Sequence, residues 1–282
     1  MYKDVDSKKE RYDIFLLSMF LQQIIKHMLF NETIMTALLG ATHLFSMGQA
    51  GFIIKSQSGE TLGIDLYLSE CVEPVEGHDG YHRLMPKIVR PEELKLDVVI
   101  ATHFHRDHFD VDAMQGLMGN EKTRLFCAYD CQEDVKRLGI DEHRVTFVKS
   151  GDYYKVGEFE LRFIRSDHGE GAPLEVGVLV TVDGKNILEV GDTSLHLDWK
   201  DEYLIAGPLD VLIAPINGAY GNLNEQEHVQ LTKALQPKLT VPCHFGMFAS
   251  HGGNPGLWRE LMLQQIPNQK YKLFTMGEGI QL

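Results

Sequence analysis

The stretch that decides the fold of this chain is a short run of histidines with one aspartate, Thr102-His103-Phe104-His105-Arg106-Asp107-His108. It follows directly on the apolar run at residues 97–101, which is typical of a buried strand. A strand that ends in a tight loop can aim the first two histidines one way, while the aspartate and the last histidine turn toward a neighbouring position. One segment can therefore serve two metal ions, and we predict a metal centre here.

Further ligand-type residues follow later apolar runs. These are His168 after residues 159–164, Asp192 after residues 186–190 and His244 after residues 239–242. Hydrolytic two-metal sites need a bridging carboxylate, neutral imidazoles and an open position for water, and these residues complete that set. The alternative, a histidine-rich surface loop, does not explain why candidates recur at strand ends. The predicted ligands are His103, His105, Asp107, His108, His168, Asp192 and His244.

Strands and helices are mixed along the chain. Residues 12–30 show helical spacing, whereas short β-rich runs follow at residues 51–55, 61–65, 98–102, 124–128, 145–148, 159–164, 176–182, 186–190, 211–214 and 239–242. Helical patterns occur near residues 111–118, 131–138 and 225–235. Both halves run from strands into strand–helix units, which suits two sheets packed face to face. We predict an N-terminal helical extension at residues 1–35 and one catalytic domain at residues 36–282.

The composition of the chain limits the kinds of molecule that it is expected to bind. The formal net charge is −13, which repels nucleic acid polymers, although a local basic pocket could still hold one phosphate. The four cysteines lack the paired spacing of a zinc cage and the density of a disulfide framework, so we expect reduced thiols in a cytoplasmic protein. The apolar run at residues 14–20 is too short to span a membrane. A small-molecule substrate is expected, and homo-oligomers stay open.

The order of these motifs resembles the metallo-β-lactamase superfamily over nearly the whole chain from about Thr36. The matching features are the HxHxDH segment, the later histidine, Gly191-Asp192-Thr193 and the final histidine. The resemblance implies an α/β fold, a four-layer αββα sandwich with the metals at one edge of the two sheets. It also implies a ligand division, with His103, His105 and His168 on one ion, Asp107, His108 and His244 on the other, and Asp192 between them.

Four further segments resemble the L-ascorbate-6-phosphate lactonase group. They are Met47-Gly48-Gln49-Ala50-Gly51-Phe52, the strand ending at Asp65, Tyr67-Leu68-Ser69 and Gly218-Ala219-Tyr220-Gly221. This resemblance implies a sugar-phosphate lactone as substrate and favours manganese, while the breadth of the superfamily keeps zinc open. Related uncharacterised metal-dependent hydrolases share much of the pattern, so the substrate stays open.

The hypothesis for the chemistry is attack by a metal-bound hydroxide on a lactone or related ester carbonyl, with two divalent ions lowering the pKa of the water. Asp107 could orient this group or pass a proton to the leaving oxygen. One alternative is a metal-dependent phosphodiesterase on a small phosphorylated or cyclic nucleotide. Others are an iron-dependent oxidoreductase on the same scaffold and a binding protein without catalysis.

Four residues around the ligands have expected supporting roles. Arg83 could bind a phosphate, the alternative being a solvated surface arginine. Asn217 and Tyr220 follow the run at residues 211–214 and could donate to a substrate oxygen, the alternative being turn chemistry. Asp65 could accept a hydrogen bond from a ligating imidazole and fix its tautomer, or simply end its strand.

Overall fold

The computed structural model describes residues 33–34 and 36–282. The helix expected at residues 12–30 lies outside the described residues, as does nearly all of the predicted extension at residues 1–35. The described chain is built on two mixed sheets.

Seven strands form the first sheet within the described residues, in the order β13-β1-β2-β3-β4-β5-β6. Their bounds are β1 His43–Gly48, β2 Gly51–Lys55, β3 Thr61–Ile64, β4 Val98–Ala101, β5 Arg124–Ala128, β6 Val145–Val148 and β13 Gly279–Gln281. Strands β13, β1, β2 and β3 pair antiparallel, whereas β3 through β6 pair parallel. The parallel strands all present their carboxyl ends at one edge of the sheet.

Six strands of the described chain form the second sheet, in the order β12-β11-β10-β9-β8-β7. Their bounds are β7 Tyr153–Val156, β8 Phe159–Arg165, β9 Val176–Val182, β10 Lys185–Glu189, β11 Val211–Pro215 and β12 Leu239–Cys243. Strands β10, β11 and β12 run parallel, and β7 through β10 pair antiparallel.

Helices flank the two sheets. They are α1 Glu73–Glu76, α2 His78–Tyr81, α3 Met114–Leu117, α4 Gln132–Leu138, α5 Lys200–Tyr203, α6 Glu225–Leu235 and α7 Pro255–Gln265. Asn224 begins α6 with a reciprocal pair of hydrogen bonds to Glu227, and Asn254 accepts from two backbone amides at the start of α7. These side chains satisfy amides that a helix start leaves without internal partners.

Alternation along the strands explains the layers. In β4 the side chains of Val98 and Ile100 pack between the two sheets, while Val99 and Ala101 pack on the outer face with Met114 and Leu117. Successive strand residues face opposite sides, so a strand covered on both faces is apolar throughout. A corresponding outer layer on the second sheet contains residues of α5 and α6. The expected four-layer αββα fold is confirmed.

All ten expected strands are present, but several further elements were missed. The sequence did not single out β1, β7, β13 or α7. The helix expected at residues 111–118 is confined to Met114–Leu117; residues 111–113 form a turn before it, in which the Asp110 carboxylate accepts hydrogen bonds from the amides of residues 112 and 113. An aspartate in this position satisfies amides at the start of a helical segment.

Candidate metal centre

The predicted ligands lie where strands of both sheets end at a shared edge. His103 follows β4, His168 follows β8, Asp192 follows β10 and His244 follows β12. The loop after β4 is held by the Val176 amide, which donates to the carbonyl of Thr102 at 3.1 Å and ties the two sheets together. The fold therefore brings residues that are far apart in sequence to one place.

Three histidines form the first cluster. The ligand nitrogens of His103, His105 and His168 lie within 4.8 Å of one another. His103 Nε2 is 2.9 Å from His105 Nδ1. Convergent imidazole nitrogens at such distances suit zinc, manganese or iron.

A carboxylate and two histidines form the second cluster. Ligand atoms of Asp107, His108 and His244 also lie within 4.8 Å of one another. His244 Nε2 is 3.3 Å from Asp107 Oδ2 and 3.3 Å from His108 Nε2. All three side chains are largely buried.

Asp192 stands between the two clusters. Its Oδ2 lies 3.0 Å from His244 Nε2, 3.5 Å from His108 Nε2 and 4.0 Å from His168 Nε2. One carboxylate oxygen thus faces members of both clusters, as a bridging ligand requires. The structure brings all seven predicted ligands together, and His103, His108 and Asp192 form a further group that joins the two clusters.

The charges of the clusters fit divalent cations. Burial disfavours their charged forms, yet His108 and His244 hold the pKa of Asp107 and of Asp192 well below the ordinary value. Burial lowers the pKa of His105 to about 4. Ionised carboxylates and neutral imidazoles are the forms that bind metal.

Two imidazoles of the centre, those of His108 and His244, have a raised pKa. Burial opposes the charge on His108 and His244, but Asp192 and Asp107 outweigh it and raise the pKa of both. For His244 the pKa rises to about 9. The carboxylates of Asp107 and Asp192 therefore favour positive charge at the second cluster. A divalent ion bound there would supply that charge in place of the protons on the imidazoles.

Asp65 lies behind the second cluster, as expected of a residue that orients an imidazole. His108 Nδ1 is 2.7 Å from Asp65 Oδ2, and the amide and hydroxyl of Thr102 also donate to this carboxylate. A carboxylate on Nδ1 directs the lone pair of Nε2 toward a metal.

Two buried glutamates beneath Asp192 were not anticipated from the sequence. Glu175 accepts a hydrogen bond from the Asp192 amide, and its Oε1 also lies 3.5 Å from His103 Nδ1. Glu189 accepts from the Gly191 amide at 3.0 Å. Burial raises the pKa of both glutamates well above the ordinary value. They hold the loop that carries Asp192.

Gln49 is a further residue that sequence reasoning missed. Its Nε2 lies 2.8 Å from Asp107 Oδ2 and 2.9 Å from His251 Nδ1. The backbone at Gln49 has a φ of 51°, and its carbonyl accepts from the His244 amide at 2.9 Å. The signal in the sequence was the Gly-rich turn between β1 and β2, which brings this amide into the second cluster.

A cavity of about 390 Å³ opens onto the clusters. It is lined by Val72, Glu76, Tyr81, His105, Arg106, Asp107, His168, Gly171, Asp192, Tyr220, His244 and His251. This volume is in the range of small-molecule sites. Tyr220 is half-exposed, and its hydroxyl lies 2.7 Å from the hydroxyl of Tyr81, so the pair stands where the cavity meets solvent.

Of the three residues predicted to contact substrate, the structure places one at the cavity and two away from it. Tyr220 lines the cavity, whereas Arg83 and Asn217 do not. Arg83 is buried over the ring of Tyr67, and its guanidinium donates to the carbonyls of Tyr67, Ser69 and Met85. These bonds fix the loop after β3, and they correct the expectation that Arg83 is free to hold a phosphate.

Asn217 is also placed apart from the cavity. It is buried after β11, where its backbone bridges to Asn224, and its amide atoms have no hydrogen-bond partner among the described residues. The arginine that does line the cavity is Arg106, within the ligand motif itself. Its Nη1 lies 2.6 Å from Asp134 Oδ2.

The cysteines are unpaired within the described residues. All four cysteines, Cys71, Cys127, Cys131 and Cys243, are buried free thiols. Among the described residues, no helix has the length and apolar character needed to cross a membrane.

Known proteins resemble this chain in sequence and in fold. Residues 43–244 match the family described as beta-lactamase superfamily domain. A UPF0173 metal-dependent hydrolase of Pelotomaculum thermopropionicum is 24% identical over 248 residues, 84% of this chain and 98% of the relative. One from Carboxydothermus hydrogenoformans is 28% identical over 168 residues, 56% of this chain and 70% of the relative.

Solved structures share the fold at lower identity. Igni18, a metallo hydrolase from Ignicoccus hospitalis, superposes with a TM-score of 0.68 at 19% identity over 86% of this chain and 98% of its own. The metallo-beta-lactamase fold protein YhfI from Bacillus subtilis gives a TM-score of 0.65 at 16% identity over 86% of this chain and 100% of its own. The family match includes every strand except β13 and all seven predicted ligands, and the chain belongs to the metallo-β-lactamase superfamily.

Proposed function

We propose that this chain is a metal-dependent hydrolase that opens a phosphorylated sugar lactone such as L-ascorbate 6-phosphate. The observation that carries the hydrolase proposal is the pair of ligand clusters on either side of Asp192, at the wall of a cavity of about 390 Å³. The lactone is supported by the resemblance of the surrounding loops and by the cationic side chain of Arg106 in the cavity wall.

Two sets of residues would hold the metals, manganese or zinc. His103, His105 and His168 would bind one ion, with Asp107, His108 and His244 on the other and Asp192 shared. When bound, divalent ions at such a place acidify water and polarise a carbonyl oxygen. No serine or cysteine nucleophile is needed.

In this proposal Asp107 is the residue that moves a proton. It lines the cavity, and the contacts to it that the described residues show involve Oδ2, which faces Gln49 and His244. As the oxygen of water bonds to the lactone carbonyl carbon and the ring C–O bond breaks, Asp107 Oδ1 can take the proton of the water and deliver it to the ring oxygen, which leaves as an alcohol. A carboxylate fixed on one side by the Gln49 amide keeps a constant orientation toward the substrate.

Arg106 is the group placed to hold an anionic part of the substrate. One nitrogen of its guanidinium is engaged by Asp134, which leaves other N–H groups for a phosphate. At the outer part of the cavity, Tyr81 and Tyr220 offer hydroxyls to sugar oxygens. The chain's negative charge favours a small anion held by one local arginine over a polymeric one.

A substrate panel tests the proposal. Protein purified without chelators and analysed for metal would be assayed on sugar-phosphate lactones, unphosphorylated lactones, carboxylic esters and cyclic phosphodiesters. We expect the highest kcat/KM on a phosphorylated lactone, and loss of turnover after chelation. Preference for a cyclic phosphodiester would support the phosphodiesterase alternative, and activity that requires iron and an oxidant would support an oxidoreductase.

Two arginine variants test the phosphate contact. Arg106 and Arg137 both bind Asp134, but only Arg106 lines the cavity. Charge-assisted hydrogen bonds contribute about 1.5–3 kcal/mol, so Arg106→Ala should lower kcat/KM for a phosphorylated lactone roughly 10- to 100-fold. Arg137→Ala should have little effect. Equal losses on phosphorylated and unphosphorylated lactones in Arg106→Ala would refute the assignment.

A further inference from the structure

A second group of metal-ligand side chains lies between β3 and β4, on the short helices α1 and α2 and at the residue that follows α2, outside the centre at the sheet edge. Two histidines, His78 and His82, both direct Nδ1 at the carboxylate of Glu73. His82 Nδ1 lies 2.8 Å from Glu73 Oε2, and His78 Nδ1 contacts Oε1. The three ligand atoms lie within 4.8 Å of one another.

The backbone of this loop is shaped to bring the three side chains together. Gly77 has a φ of 97° and Gly80 a φ of 91°, values that favour glycine. Asp79, between them, departs from helical geometry. The resulting kink turns the chain back, so that His82 reaches the same carboxylate as His78.

The exposure of the group suits a metal that enters from solvent. The side chains of His78 and His82 are 75% and 56% exposed, and that of Glu73 is 26% exposed. A three-ligand site at a surface leaves coordination positions open to water, and two imidazoles with one carboxylate form a known zinc ligand set. Histidines this exposed can adjust by rotamer changes to shorten the ligand separations.

Local charge favours a cation. Residues 70–82 contain four acidic side chains, Glu70, Glu73, Glu76 and Asp79, and neither lysine nor arginine. Hydrogen bonds from His78 and His82 lower the pKa of Glu73, so this carboxylate is ionised near neutral pH. The next basic residue, Arg83, is occupied by backbone carbonyls.

We propose that Glu73, His78 and His82 form a peripheral binding site for a divalent ion of the zinc class, separate from the centre at the sheet edge. The site does not depend on the proposed hydrolase function. It lies beside Tyr81, whose hydroxyl contacts Tyr220 and whose ring lines the cavity. Binding therefore restrains the segment that forms one wall of the cavity.

Zinc counting in matched variants tests the site. Full-length wild type, His78→Ala/His82→Ala, Glu73→Gln and His143→Ala would be equilibrated with zinc chloride and washed, and bound zinc measured by elemental analysis. His143 is the control because it is an exposed histidine outside the group. We expect the double variant to hold about one zinc fewer than wild type. Glu73→Gln should bind zinc more weakly, and His143→Ala should match wild type.

The difference between variants is informative whether or not the centre at the sheet edge is filled. Equal zinc in wild type and double variant overturns the proposal and leaves the group as a histidine–glutamate ion pair. Equal losses in the double variant and His143→Ala also overturn it, because they indicate adventitious binding to surface histidines. Melting curves of all four proteins check that each is folded.

Hydrogen exchange provides a readout of the restrained loop. Zinc should slow amide exchange at residues 73–82 in wild type and leave the double variant unchanged, because local opening must break the metal bonds. Equal protection in both proteins, or none in wild type at saturating zinc, would contradict the coupling between the site and the cavity wall.

Discussion

Replacing Asp65 by asparagine isolates the effect of the carboxylate behind the second ligand cluster. Asp65 is fully buried; its Oδ1 accepts from the Thr102 amide at 2.8 Å, and its Oδ2 accepts from the Thr102 hydroxyl at 2.6 Å and faces His108 Nδ1 at 2.7 Å. Asparagine keeps the size of the side chain. It replaces one accepting oxygen with an N–H donor.

The N–H donors around residue 65 then decide which nitrogen of His108 carries the proton. If the amide oxygen of the asparagine faces the Thr102 N–H, its NH₂ faces His108 Nδ1, which must then accept. The proton of a neutral His108 moves to Nε2, the atom that faces Asp107 and Asp192. A protonated nitrogen cannot bind a metal. The opposite amide orientation sets two donors against each other at Thr102.

Metal affinity is therefore the quantity that should change. Loss of such an orienting partner typically weakens metal binding about 10- to 100-fold, which corresponds to roughly 1.4–2.7 kcal/mol. Competition with a chromophoric chelator would measure the affinity, and circular dichroism would check the fold. Asp210→Asn is the matched control, because Asp210 binds the Asn186 amide and Lys238 and touches none of the predicted ligands. Unchanged affinity in a folded Asp65→Asn protein would refute the reasoning.

Three further outcomes test stability. Asn224→Ala removes the side-chain oxygen that accepts from the Glu227 amide and leaves the backbone N–H that donates to the Glu227 carboxylate; it should lower the free energy of unfolding by about 1 kcal/mol in urea titrations, and an unchanged midpoint would contradict this. Burial lowers the pKa of His228 from 6.5 to about 3, so the folded state stays neutral while the unfolded state gains a proton as the pH falls below 6.5. Stability should drop by about 2 kcal/mol from this group between pH 7 and pH 5, and His228→Gln should lack that increment. Removing metal should lower the free energy of unfolding by about 2.7 kcal/mol relative to protein at a free metal concentration 100 times Kd, and melting curves that coincide would count against a bound metal.

Much of the fold and of the ligand set could be predicted because both depend on patterns within short stretches of sequence. Strands such as β4 are apolar over their whole length because both faces are covered, and the ligands follow directly where such strands end. The motif at residues 102–108 is short, so spacing alone brought four candidates together. Strand β13 was missed because its three residues are partly exposed and gain strand geometry by pairing with β1.

The residues that support the ligands could not be predicted, because their roles depend on contacts between distant segments. Gln49 meets Asp107 across 58 residues of sequence, and Glu175 reaches the Asp192 amide across 17. Arg83 and Arg106 are both arginines in polar loops. In the folded chain, Arg83 is surrounded by backbone carbonyls and Arg106 lies beside the cavity. This difference exists only after the loops have folded.

Anomalous diffraction at the absorption edge of the bound metal tests most directly whether the seven residues form a two-metal centre. We predict two peaks on either side of the Asp192 carboxylate, one beside His103, His105 and His168 and the other beside Asp107, His108 and His244. Crystals grown from protein purified without chelators, with native metal retained, would provide the data. A map with no anomalous peak at this edge of the sheets, from protein shown to contain metal, would contradict the two-metal centre.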